Sequence, residues 1–129
     1  MGMNKHVGIV CGSYHKEEVE RMLLWAQDEA KILEMSVGDV VWVNGSMEVP
    51  LALDRMMEAH DGAVCLGIIE KGETQHGLAM GQAVMKTILE LQLKYNKPIG
   101  LGIIGPGAES HHIEPRLEPH ARASIRALL

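Results

Sequence analysis

The sequence predicts an α/β fold: one parallel sheet of four strands, with helices on both faces, in a three-layer α/β/α sandwich. Three observations predict it. Short apolar runs bounded by turn residues alternate with longer segments whose apolar residues recur every three or four positions. The short runs are continuously apolar, as strands buried on both faces are. No linker, repeat or low-complexity segment interrupts this βαβαβαβα order, and 129 residues fit one domain, 1–129.

The first strand is read at 7–11, Val-Gly-Ile-Val-Cys. From 15 to about 35, Val19, Met22, Leu23, Ala26, Ala30 and Leu33 recur at helical spacing, with Glu17, Glu18 and Glu20 in the first turns where the helix dipole favours acids. Residues 40–43 form the second strand, and Asn44-Gly45-Ser46 a turn. Pro50 suits the start of a short second helix, with Leu51, Leu53, Met56 and Met57 as its apolar face. Asp61-Gly62 ends it, and 63–69 is the third strand. The third helix runs from about 74 to 95, stopped by Asn96-Lys97-Pro98. The fourth strand, 99–104, is broken by Gly105-Pro106-Gly107. A final helix is expected from about 115 to 129, with Ala121, Ile125 and Leu128 on one side.

Composition narrows the function. The chain is 47% hydrophobic, with no Phe, two Trp, two Tyr and nine Met, so its core is aliphatic with Met filling irregular gaps. Net charge is −5 and the pI about 5.8, with no basic stripe, which argues against nucleic-acid binding. No apolar run approaches the roughly 20 residues of a membrane span, and the start carries no signal-peptide pattern, so a cytoplasmic protein is expected. Cys11 and Cys65 fall in strands and read as reduced core residues. His111, His112 and His120 do not make a convincing metal set, and Gly100-Leu101-Gly102 lies in a strand, not at the start of a helix as a dinucleotide fingerprint requires.

Ligands of such sheets bind at the carboxyl ends of the strands. Residues 13–15, 44–48, 70–76 and 105–112 then surround one rim. The segment Gly67-Ile68-Ile69-Glu70-Lys71-Gly72-Glu73-Thr74-Gln75-His76 is the most telling: a buried strand turns at a glycine, offers a helix cap and presents a histidine one turn later. A helix N-terminus after a parallel strand offers free N–H groups to an anion such as phosphate, and a neighbouring histidine moves protons near neutral pH.

These loops, in this order, resemble the 6,7-dimethyl-8-ribityllumazine synthase family of riboflavin biosynthesis. The resemblance rests on Gly12-Ser13-Tyr14-His15, on Gly45-Ser46-Met47-Glu48-Val49-Pro50 and on Gly72-Glu73-Thr74-Gln75-His76. It covers residues 7 to about 105. The chain departs from the family pattern at Asn44, Met47, Gly77, Leu101 and Gly105-Pro106, and His15 stands where Asn is usual.

The resemblance implies a flavodoxin-like fold and a condensation of 5-amino-6-(D-ribitylamino)uracil with 3,4-dihydroxy-2-butanone 4-phosphate, without metal or organic cofactor. It implies proton transfer by His76 and phosphate held by the Glu73-Thr74 turn. Glu48 would receive the ribityl hydroxyls, with Ser46 and Met47 adding backbone contacts and a wall, Tyr14 stacking on the heterocycle, and Ile68 and Ile69 beside the pyrimidine. Leu101 and a phosphate-binding Arg116, with Arg122 in reserve, would come from a neighbouring subunit of a homopentamer or a larger assembly. Taken singly, these residues have plainer readings: Thr74 as a helix cap, Glu48 as a first-turn acid, His76 as a surface histidine, Tyr14 as a tyrosine packed on its own loop. Two other functions fit the same loops: a non-catalytic flavin- or lumazine-binding paralogue, and a riboflavin synthase-like enzyme.

Overall fold

The fold is seen in a computed structural model that describes residues 4–72 and 75–129. The elements are β1 (His6–Gly12), α1 (Lys16–Ile32), β2 (Ser36–Val43), a 3-10 turn (Ser46–Glu48), α2 (Val49–Met56), β3 (Gly62–Glu70), α3 (His76–Tyr95), β4 (Ile99–Ala108), α4 (Ser110–Ile113), a second 3-10 turn (Glu114–Arg116) and α5 (Leu117–Arg126). The four strands pair in parallel in the order β2-β1-β3-β4, which gives the expected flavodoxin-like α/β sandwich. The chain steps outward from β1 to β2, then crosses back to β3 on the other side of β1. The carboxyl ends of β1 and β3 thus flank a point where the strand order reverses, the place at which such sheets leave a crevice.

Strand side chains alternate between faces, and each face has its own core. Val7, Ile9 and Cys11 of β1 join Val64, Leu66 and Ile68 of β3 under α1 and α5. Val10, Ala63, Cys65, Ile69 and Ile103 join Leu53, Met57, Val84 and Ile88 of the α2 and α3 side. Both cysteines are free and buried, on opposite faces of the sheet. Burial pushes each thiol up to about 12, so neither is a nucleophile at neutral pH.

Helices α1 and α5 are joined by charge as well as by apolar contact. Glu29, 7% exposed, receives Arg122 at 3.0 Å and Arg126 at 3.0 Å. Burial alone works against its charged form; the hydrogen bonds from Arg126 and Arg122 outweigh it and hold the carboxyl below its usual range. Arg122 is also paired with Asp28 and Glu118. Its guanidinium is therefore engaged by three carboxylates of its own chain.

Several features differ from the sequence expectations: β2 begins at Ser36, four residues before the expected start at 40. Leu51 faces outward at 55% exposure, because the buried face of α2 uses Val49, Leu53 and Met56, at i, i+4 and i+7. Helix α3 begins at His76, with Gln75 as its N-cap residue. His76 is thus in the first turn and not one turn in. The final helix starts at Leu117, after two short turns. Most consequentially, β4 is not ended by Gly105-Pro106-Gly107. Ile68 pairs with Ile104 and Glu70 with Ala108, so residues 105–107 bulge out opposite Ile69. The Lys71 N–H then donates to Ala108 O at 2.7 Å, continuing the ladder. Gly105 has φ 102°, and a Cβ there would run into the Ile69 carbonyl, so only glycine fits.

Candidate active site

A cavity of about 460 Å3 opens in the crevice between the carboxyl ends of β1 and β3. Tyr14 enters from the loop after β1. That loop is tied to the end of β2: the Ser13 N–H donates to Val43 O at 2.8 Å and the Ser13 hydroxyl to the same oxygen at 2.6 Å. Ser46, Met47 and Glu48 enter from the 3-10 turn after β2. Here Glu48 Oε1 accepts the Gly45 N–H at 2.8 Å, and the Glu48 N–H donates to Gly45 O at 3.1 Å. The carboxylate is thus fixed by its own turn, a second reason for an acid at this place. Ile68 and Ile69 form the floor, 3% and 4% exposed. His76 closes the far side from the start of α3.

The sequence reading placed all four rim loops around one site. The structure brings three together, with Tyr14, Ser46, Met47, Glu48, Ile68, Ile69 and His76 in one wall, and sets the fourth apart. Gly105, Pro106, His112, Arg116 and His120 line a separate hollow of about 270 Å3. Arg116 donates to His112 O at 3.0 Å there. Burial, and then the charge of Arg116, lower the pKa of His120. Leu101 lies on edge strand β4, 39% exposed, away from the cavity. Neither Arg116 nor Leu101 reaches the site of its own chain. Glu73 and Thr74, the expected phosphate turn, lie outside the described residues.

The departures of the fourth loop have a packing reason. A Cβ at Gly81 of α3 would lie 2.7 Å from Pro106 Cγ, so the bulge of β4 and a bare patch of α3 fit each other. Glu109, His111 and His112 also converge, with candidate ligand atoms within 4.8 Å of one another. Glu109 thus brings a carboxylate to His111 and His112. It is shared with Lys71 at 3.6 Å, however, and His112 Nδ1 accepts the Glu109 N–H at 3.0 Å, so the groups are already engaged in ordering the loop.

Sequence reasoning missed Glu70 and His15. Glu70 is the last residue of β3 and lines the cavity. Its Oε1 stands 2.7 Å from His15 Nε2. The signal was an acid closing an otherwise apolar strand. Its partner lies 55 positions away, so no local pattern joined them.

The profile of the 6,7-dimethyl-8-ribityllumazine synthase family matches residues 4–128. A protein of that name from Staphylothermus marinus is 33% identical over 124 residues, covering 95% of this chain and 83% of its own length. One from Saccharolobus islandicus is 33% identical over 130 residues, covering 99% and 84%. A third, from Metallosphaera sedula, is 34% identical over 123 residues, covering 94% and 82%. With the profile spanning nearly every residue and these relatives above 30% identity, the chain belongs to the 6,7-dimethyl-8-ribityllumazine synthase family.

Proposed function

We propose that the protein is a transferase that condenses 5-amino-6-(D-ribitylamino)uracil with 3,4-dihydroxy-2-butanone 4-phosphate, forming 6,7-dimethyl-8-ribityllumazine with release of phosphate and water. The observation that carries this reading is one cavity, in a chain of that family, that holds an aromatic, a fixed carboxylate, an apolar floor and a histidine at a helix start.

The primary amine attacks the ketone and loses water as an imine. Phosphate leaves, the ring closes and a second water departs. His76 moves the protons of these steps. Tyr14 covers the heterocycle, Ile68 and Ile69 support it, and Glu48 accepts hydrogen bonds from the ribityl hydroxyls while the turn of Ser46 and Met47 shapes the wall. Glu73 and Thr74, which precede α3 in the sequence, bind the phosphate. Arg116 and Leu101 act on the site of a neighbouring copy in a homopentamer. The separation of the Arg116 hollow from the cavity of the same chain supports such sharing. Holding two substrates together supplies much of the acceleration.

The test is an assay of lumazine absorbance with both substrates, run beside light scattering at the assay concentration. Product formation by an oligomer is expected. Heterocycle binding without product would instead identify a binding paralogue, and a fully active monomer would exclude a shared site.

A further inference from the structure

We propose that Glu70, held by His15, is a specificity-determining acceptor of the cavity and takes an N–H donor of the pyrimidine substrate. This rests on the reaction proposed above.

Glu70, the last residue of β3, and His15, the N-cap residue of α1, meet beside the cavity. His15 Nε2 is sealed from water, and Glu70 Oε1 at 2.7 Å is the polar atom set against it. The contact is close but not a well-directed hydrogen bond. His15 has φ 59° and ψ 50°, a left-handed conformation uncommon for non-glycine residues. The His15 ring also stands edge-on to Tyr14, with centroids 4.6 Å apart and an angle of 83°. One residue thus contacts both a cavity carboxylate and the exposed aromatic beside it.

The carboxylate keeps a third of its surface open, with 34% side-chain exposure, and it borders the cavity beside Ile69. An open carboxylate accepts hydrogen bonds and repels phosphate, so it suits the substrate rich in N–H groups and disfavours the phosphorylated one. Glu48 and Glu70 then divide the work: Glu48 for a polyol chain and Glu70 for the edge of the ring. His15 is a positioning residue, since it reaches the substrate only through Glu70 and Tyr14.

The test combines calorimetric titration with 5-amino-6-(D-ribitylamino)uracil under argon and steady-state kinetics in each substrate. Wild type, Glu70→Gln and His15→Ala are compared, with far-UV circular dichroism as the check on folding. Glu70→Gln, which keeps size and shape, should weaken pyrimidine binding about tenfold, the effect of losing one charge-assisted hydrogen bond. KM for the butanone phosphate should stay within about twofold. His15→Ala should move pyrimidine binding in the same direction. Unchanged pyrimidine affinity in a turning-over Glu70→Gln enzyme overturns the proposal and leaves the reaction standing, and so does an equal rise in both KM values, which marks a merely structural clasp. Weaker pyrimidine binding by Glu70→Gln in a wild-type protein that makes no product supports the recognition and rejects the reaction. A wild-type protein that does not bind the pyrimidine rejects both.

Discussion

At the scale of single residues, the site divides into groups that announce themselves in the chain and groups that do not. Tyr14, Glu48 and His76 were legible because each follows a strand within a few residues and stands beside turn residues, and the structure gathers them in one cavity. His15 and Glu70 were not, because their pairing depends on the β1–β3 register, which no local pattern encodes. His76→Ala should lower kcat at least a hundredfold, the usual contribution of a positioned acid–base group, with folding unchanged because His76 is exposed on the first turn of α3. Glu48→Ala should raise KM for the ribityl substrate. It should also cost about 1 kcal/mol of stability through the lost bond to Gly45 N–H, so kinetics and melting must be read together.

At the scale of elements, the apolar periodicity located all four strands and the long helices, because strand burial and helix spacing are written in the order of the residues. It failed where a contact across elements decides the outcome. The Gly105-Pro106-Gly107 segment has the composition of a strand end, yet it remains in register because Ala108 returns to pair with Glu70. Leu51 is apolar, yet it lies off the face of α2 that Val49, Leu53 and Met56 bury. The fit of Gly81 against Pro106 makes a specific expectation. Gly81→Ala, elsewhere a favourable helix substitution, should here destabilise the protein by about 1–3 kcal/mol through overpacking. Urea melts of wild type and variant check the sign.

At the scale of the whole molecule, the sandwich is closed by the α1–α5 network, and its charges set the response to acid. Removing Arg122 leaves Glu29 with Arg126 alone, so Arg122→Ala should lower the thermal midpoint, and by less than loss of both arginines. The pH dependence has a definite sign. His120 is harder to protonate folded than unfolded, so acidification below about 6.5, its ordinary value, favours the unfolded chain. Glu29 is held below its ordinary 4.5, so its contribution is present above that value and is lost as pH falls further. Thermal midpoints should therefore drop in two stages on acidification, and His120→Gln should remove the upper one. Among the described residues no helix is long and apolar enough to cross a membrane.

The central claim is that the cavity between β1 and β3 condenses the two substrates with His76 moving protons. The measurement that bears on it most directly is the rate of lumazine formation from both substrates by the wild-type chain and by His76→Ala. The account predicts product from the wild type and a fall of at least about a hundredfold in the variant. Wild-type turnover undiminished by the substitution, or no product from a folded oligomer that binds the pyrimidine, would contradict it.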